Sequence, residues 1–232
     1  MSHPDAGPGS AGSGGAGLDG GQWDWVSRYQ VGGCLMFTRG VSAGRMMSAL
    51  GMDPGLAMML PAERAEEACP LPVHDEKLKP LHPWVRVGKM GEWAFAIDET
   101  LGICFWDQDV ERRLSAGTEA VVVHWTAKPT YNVRYLVDGG VVTSFDPGMA
   151  WDRAGSEPDK FLREMREAGL RTERPEPRPA LTREEYIAQR TQRLQGPRRD
   201  PLVAALEMLT LALGIQLPQD VVRGSLLTVQ RR

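Results

Sequence analysis

The sequence lacks an apolar run long enough to cross a bilayer. Its longest apolar stretch, residues 202–215, is interrupted by Glu207, Thr210 and Gly214. The N-terminus also lacks the basic and apolar regions of a secretory signal peptide. These absences predict a protein without membrane association, located in the cytoplasm.

A surplus of positive charge is missing as well. The chain has 27 Lys and Arg against 30 Asp and Glu, for a net charge of −3. Because nucleic-acid binders concentrate basic residues on one face, this balance disfavours a nucleic-acid partner. The alternative of a weak nucleic-acid binder depends on a local cluster of four arginines, Arg190, Arg193, Arg198 and Arg199.

Cysteine is scarce. Cys34, Cys69 and Cys104 lie far apart in the sequence, which is typical of proteins from a reducing compartment. Cys34 and Cys104 have apolar neighbours, so both are predicted to be buried, inert thiols. No motif flanks Cys104 that would support a Cys/His nucleophilic pair.

Short apolar segments dominate residues 84–147 and alternate with turn residues. They are rich in Val, Trp, Tyr and Phe, which favours strands. Asp138-Gly139 between two such segments is a strong hairpin signal. Helical segments flank this region, so the predicted fold class is α+β, with a mostly antiparallel sheet of five to seven strands and packed helices.

Both faces of the predicted hairpin carry apolar side chains, so the sheet should be covered on both sides. Alternation places two sets on opposite faces: Val133, Tyr135, Val137 and Val142 on one, and Leu136, Val141 and Phe145 on the other.

Helix starts are marked by capping residues. Ser42 precedes a helix that reaches Leu50, Asp107 precedes one that ends at Ser115, and Asp200 precedes Pro201 and a Leu-rich helix. The segment Ser156–Asp159 has the form of a capping box for a further helix that ends at Gly169.

Four regions follow from composition. Residues 1–21 form a Gly/Ser/Ala-rich tail predicted to be disordered. Residues 22–170 form the α+β core domain and residues 171–199 a Pro/Arg-rich linker with a short helix. Residues 200–232 contribute a C-terminal helix that docks on the core.

His124 is the histidine that falls inside a predicted strand. With a nearby carboxylate, Asp107 or Asp109, it would serve as a general base in a hydrolase-like enzyme. A histidine in mid-strand is more often a packed or hydrogen-bonded side chain. The two aspartates flank a helix start, where capping explains them without catalysis.

A metal site is the alternative for an irregular loop that contains Cys69, His74 and His82. The spacing has neither the CxxC nor the HxxxH pattern of zinc ligands, so no metal and no other cofactor is predicted.

A partner surface is the third kind of candidate site. Met58 and Met59 stand beside leucines in an irregular stretch, where flexible thioethers can form an adaptable apolar patch. Trp106 is a further candidate contact residue. Another protein is therefore the expected partner, and the oligomeric state stays open.

Several segments resemble an uncharacterised actinobacterial family, a domain of unknown function. The matching segments include CLMFTRGVSAGRMMSALGM, VRVGKMGEWAFAIDE, ERRLSAGTEAVVV, YLVDGGVVTSFDP and GSEPDKFLREMREAGL. The resemblance implies a single fold and carries no catalytic residues.

The expected function is that of a non-catalytic protein-interaction module, regulatory or immunity-type, in a bacterial conflict or signalling system. This expectation depends on a near-neutral single domain without a coherent catalytic set. The hydrolase and the weak nucleic-acid binder stay as alternatives.

Overall fold

The computed structural model describes residues 22–28, 32–68, 84–98, 107–128, 130–176, 182–184 and 199–230. Within them, eight strands form one sheet in which every pairing is antiparallel. The strands are β1 (Gly32–Arg39), β2 (Met58–Leu60), β3 (Trp84–Met90), β4 (Trp93–Asp98), β5 (Glu119–Thr126), β6 (Tyr131–Val137), β7 (Gly140–Phe145) and β8 (Leu226–Gln230). Their spatial order is β2-β8-β3-β4-β1-β5-β6-β7.

Helices cover the sheet on both faces. They are α1 (Ala43–Ala49), α2 (Ala62–Ala68), α3 (Gln108–Ser115), α4 (Leu162–Glu167), α5 (Pro201–Leu213) and α6 (Gln219–Arg223). In the described part of the chain, short 3₁₀ turns occupy Asp24–Arg28, Pro54–Leu56 and Pro147–Met149.

The α+β class and the single antiparallel sheet are confirmed, whereas the predicted strand number of five to seven is wrong. The described sheet has eight strands because β2 and β8 join one of its edges. Both strands are short, and the strands they pair with are distant in sequence. No turn motif in the sequence therefore predicts these pairings.

Two apolar layers sandwich the sheet, as the hairpin pattern predicts. The first layer lies under α4 and α5 and includes Leu35, Phe95, Val123 and Leu206. The second lies under α1 and α3; among its side chains are Met36, Met46, Met47, Val122 and Leu114. We call the two layers the α5 face and the α1/α3 face.

Indole hydrogen bonds fasten α5 and the segment after it to the rest of the chain. The Trp23 indole donates to the Thr210 hydroxyl (3.0 Å), and the Trp93 indole donates to the Leu213 carbonyl (3.2 Å). Trp25 donates in the same way to the carbonyl of Leu217 (2.8 Å). These bonds satisfy donors that burial takes out of water, and they fix α5 across the sheet.

The predicted caps begin three helices. The Ser42 hydroxyl accepts from the Arg45 N–H (3.2 Å), and the Asp200 carboxylate accepts from the Leu202 N–H (2.9 Å). Asp107 caps α3 in the same way. Gly214, with a φ of 67°, ends α5 in the left-handed conformation that glycine tolerates.

The hairpin between β6 and β7 forms as predicted, but one face assignment is wrong. Asp138 and Gly139 both have positive φ (45° and 81°), which a two-residue turn of this kind requires. The register then shifts between Tyr135 and Leu136. This β-bulge moves Phe145 onto the α5 face, opposite Val133, instead of the face that holds Leu136.

The capping box predicted at residues 156–159 is also wrong. The Ser156 and Glu157 N–H groups donate to the carbonyls of Val141 (3.2 Å) and Val142 (2.8 Å). These two residues run along the outer edge of β7, and α4 begins at Leu162. Just before them, Ala154 and Ser144 of β7 exchange two backbone hydrogen bonds, each of 2.8 Å. The segment 154–157 therefore covers the outer edge of β7.

Candidate functional site

His124 lies on β5 and faces the α1/α3 layer. It stands opposite Cys34 of β1 on one side and Asn132 of β6 on the other. Asp98 of β4 is the next neighbour of Cys34 in the same row. Because directly opposed residues in antiparallel strands point to one face, four polar or ionisable side chains cross the sheet side by side.

Burial governs the chemistry of this row. Asp98, Cys34 and His124 are buried. Burial lowers the pKa of His124, because water is excluded and the imidazolium is disfavoured. The imidazole is therefore neutral at pH 7.

Cys34 is buried as expected, but the prediction that it is a free thiol is wrong. It is disulfide-bonded, and its partner sulfur lies outside the described residues. A sulfur in a disulfide is not a nucleophile, so the row in this state lacks a Cys/His pair.

Asp107 and Asp109 are occupied in α3. The Asp107 carboxylate accepts from the N–H groups of Asp109 (2.9 Å) and Val110 (3.2 Å). Asp109 forms an ion pair with Arg112 on the same exposed helix face. Within the described residues, neither carboxylate reaches His124.

A buried ion pair joins α3 to the sheet beside this row. Arg134 of β6 lies 2.7 Å from the Glu111 carboxylate of α3, and the side chains are only 16% and 8% exposed. Burial raises the pKa of Glu111, and the nearby Arg134 opposes that rise. The sequence does not mark Glu111 as buried, because an acid in the first turns of a helix is ordinarily exposed and interacts with the helix dipole.

Met58 and Met59 lie on β2, the outermost strand at the edge opposite β7. Their side chains are 52% and 60% exposed, although each is a large apolar group. Leu56 is exposed just before them. The three side chains form an apolar strip, called here the methionine edge, along the side of β2 that pairs with no other described strand.

A cavity of about 610 Å³ opens on the α5 face. Its walls come from the start of β6, the 3₁₀ turn after β7, the end of α4 and the start of α5. It is a size typical of small-molecule sites. Tyr131 of this cavity opposes Trp125, the neighbour of His124, so His124 and the cavity lie on opposite faces of the sheet.

The arginines of the cavity differ in their surroundings. Arg199 donates to the Ala168 carbonyl (2.8 Å) and forms an ion pair with the buried carboxylate of Glu207. Arg171 makes no hydrogen bond or ion pair with any described residue. It is exposed, and it lines the cavity.

The phenol of Tyr131 is half-buried in the cavity wall. Burial, with the nearby carboxylates of Asp200 and Asp146, raises its pKa, because each disfavours the phenolate. The group is therefore a hydrogen-bond donor at neutral pH. No motif marks this cavity in the sequence. Gly169, Arg199 and Asp200 line it, but the sequence marked them only as a helix end, as part of an arginine cluster and as a helix cap.

Several predicted site residues lie outside the described residues: Cys69, His74, His82 and Trp106, together with Arg190, Arg193 and Arg198. The metal and Trp106 hypotheses therefore stay predictions. Among the residues with described positions, no three His, Cys, Asp or Glu side chains are grouped to hold a metal ion. No described helix has the length and apolar character of a membrane span.

Comparison with known proteins places the chain in a family. A model of the family of unknown function DUF6461 matches residues 22–194, and the chain belongs to that family. No curated protein and no solved structure matches the chain. The match ends before α5, so part of the cavity wall lies beyond it.

Proposed function

We propose that the protein is a non-catalytic protein-interaction module whose methionine edge receives an extended segment of another protein. The observation that carries this proposal is the strongly exposed pair Met58 and Met59 on the outermost strand. Exposed large apolar side chains at a sheet edge favour association.

The two edges of the sheet differ in backbone accessibility. At β7 the segment 154–157 already pairs with the outer backbone groups. At β2 the described residues pair with β8 alone, through residues 58–60. No described residue bonds the outer N–H and C=O groups of β2. An added strand would bond these groups, in the mode in which main-chain bonds give affinity and side-chain contacts give specificity.

The side chains of β2 suit a partner that runs across the edge. Successive strand residues point to opposite faces, so Met58 and Met59 offer a thioether on each side of an added strand. Unbranched thioethers adapt to differently shaped apolar groups. Alternate apolar side chains on the partner would contact Met58 on one face and Met59 on the other.

Charged residues next to β2 in the sequence favour particular charges on either side of the partner's apolar segment. Asp53 and Glu63 are exposed on either side of β2 in the sequence. Glu67 is also exposed and forms an ion pair with Arg64, so the local balance of these four residues is negative. Complementarity favours an apolar segment with basic flanks.

Display selection tests this proposal. Ten-residue peptides from a random library are selected on the full chain, and their affinities are measured for the wild type and for M58E/M59E. We expect apolar peptides with basic flanks, and a loss of about tenfold or more in M58E/M59E, since the substitutions put charge into an apolar contact. A proline in mid-peptide should remove binding, because it lacks the N–H that a strand needs.

M149E is the matched control, since Met149 is 46% exposed but lies next to the cavity, away from the edge. It should bind the selected peptides as the wild type does. Equal affinity of M58E/M59E and the wild type, or selection of acidic peptides, contradicts the proposal. A wild-type dimer that M58E/M59E converts to monomer would make the occupant a second copy and also contradict it.

The compartment is a second part of this proposal. A cytoplasmic location agrees with the scarcity of cysteine, whereas the disulfide of Cys34 favours an oxidising compartment. Alkylation of thiols at cell lysis, followed by mass measurement, separates the two. Cys34 modified by the alkylating reagent supports the cytoplasm, and Cys34 protected from it supports an oxidising compartment.

The biological role in conflict or signalling stays a prediction, as do the two alternatives. The hydrolase alternative would require a polar cavity at His124, whereas the cavity found lies on the other face of the sheet. For nucleic-acid binding, Arg199 is committed to Ala168 and Glu207 within the fold.

A further inference from the structure

The charged side chains that line the cavity on the α5 face indicate the kind of small molecule that it would bind. Five charged groups bear on it: Arg171, Arg199 and Asp200 in its wall, Glu207 behind Arg199, and Asp146 close to Tyr131. Arg199 and Glu207 neutralise each other by direct contact. The positive charge left for a ligand belongs to Arg171, and the negative charge belongs to Asp200.

Arg171 and Asp200 do not contact each other. No ion pair joins them, and Arg171 has no bonding partner among the described residues. Asp200 lines the cavity and uses its Oδ1 to accept from the Leu202 N–H (2.9 Å), whereas its second oxygen accepts no hydrogen bond from the described residues. The cavity wall thus presents two separated, opposite charges, and no described side chain forms an ion pair with either.

The rest of the wall is mixed. Pro147, Leu170, Pro201 and Ala204 supply apolar surface between the charges. Tyr131 adds a phenol near Asp200. A simple anion would meet Arg171 but also the repulsion of Asp200, and of Asp146 close to Tyr131; a simple cation would meet the reverse.

We propose that this cavity binds a small zwitterion, a molecule in which an apolar body joins a carboxylate to an ammonium group. Arg171 receives the carboxylate, because a guanidinium presents paired donors to two oxygens. Asp200 receives the ammonium group. Free amino acids and short peptides with free termini share this chemistry, and the volume of about 610 Å³ accommodates either.

Calorimetric titration of the full chain with four probes tests the proposal. L-leucine and L-leucyl-L-leucine are both zwitterions and differ in the distance between their charges. N-acetyl-leucyl-leucine lacks the ammonium group, and leucyl-leucinamide lacks the carboxylate. One of the zwitterions should bind at least tenfold more tightly than either blocked dipeptide, since each blocked probe leaves one charge in the cavity without a partner.

Two variants assign the charges to residues. R171M should weaken the zwitterion about tenfold, by removal of one charge-assisted contact. D200N retains an effective N-cap, so α5 is preserved, and only the negative charge is lost. It should weaken the zwitterion and strengthen N-acetyl-leucyl-leucine, because repulsion of its carboxylate disappears.

R174M is the matched control for R171M. Arg174 is exposed, lies three residues further along the chain and does not line the cavity. It should leave all four affinities unchanged. The proposal is overturned if no zwitterion binds the wild type with a Kd below about 10 mM, if R171M and R174M behave alike, or if D200N keeps the wild-type order of preference.

Discussion

Replacement of Arg134 by Met tests how the buried ion pair with Glu111 contributes to stability. The pair lies between α3 and β6, with the charged atoms 2.7 Å apart and both side chains largely removed from water. Arg134→Met deletes the guanidinium and leaves the Glu111 carboxylate in an apolar setting. Removal of one partner from a buried pair typically costs about 3–5 kcal/mol.

The cost should depend on pH in a defined direction. Burial raises the pKa of Glu111, and Arg134 lowers it, so loss of Arg134 leaves the raising effect unopposed. A carboxyl whose folded pKa exceeds its unfolded pKa contributes stability below the unfolded value and loses that contribution as pH rises through the folded value. The deficit of R134M is therefore greatest at neutral pH and shrinks as pH falls and Glu111 takes up a proton.

Urea denaturation of the wild type, R134M and E111L/R134M at pH 7 and pH 5 measures these effects. The double variant replaces both charges with apolar groups, so it should recover most of the stability that R134M loses at pH 7. The reasoning fails if the double variant is no more stable than R134M, or if the R134M deficit is the same at both pH values.

Three further substitutions have outcomes that the structure defines. G155A should lower the free energy of unfolding by about 2–4 kcal/mol, because φ is 120° and a Cβ would lie 2.3 Å from the Val142 carbonyl oxygen. G117A is the control: its φ is also positive but the space around it is open, so urea denaturation should show a loss of only about 1 kcal/mol. R86M should cost about 3 kcal/mol in that assay, because it strips two carbonyls at the end of α6 of their donors at 2.5 and 2.8 Å. Burial raises the pKa of Tyr135 to about 12, so the stability of the wild type should fall as pH rises from about 10 towards 12. Y135F has no phenol to titrate, so urea denaturation across that pH range should not show this fall.

Local signals predicted the elements that depend on local chemistry. Asp138 and Gly139 form the turn that reverses the chain between β6 and β7. Ser42, Asp107 and Asp200 cap the helices that follow them. Each of these needs only the energetics of a few adjacent residues, which the sequence displays directly.

Long-range pairing accounts for what the sequence did not predict. β2 is three residues long and has no hairpin partner; it becomes a strand because β8 lies beside it, 166 or more residues later in the chain. The β-bulge at Tyr135 and Leu136 moves Phe145 to the other face of the sheet. A prediction that places alternate residues on opposite faces does not allow for this extra residue. The Ser156 segment has the residues of a helix cap, yet its N–H groups bond the edge of β7 and are no longer available to start a helix.

The candidate sites show the same division. The exposure of Met58 and Met59 agrees with an apolar patch inferred from their neighbours in sequence. Its cause differs, because both residues lie on the outermost strand and not in an irregular stretch. The cavity brings together Tyr131, Arg171 and Asp200 from three separate parts of the chain. No spacing rule connects such residues, so only the packed structure reveals them.

The extent of the folding unit is set by α5. The family match ends at residue 194, yet residues 202–209 of α5 are all buried. Trp23, near the other end of the chain, and Trp93 of β4 both bond to α5. A helix buried along this length leaves a broad apolar face of the sheet open to water when it is absent. The segment beyond the match is therefore as much a part of the core as the strands within it, and the cavity exists only where the two meet.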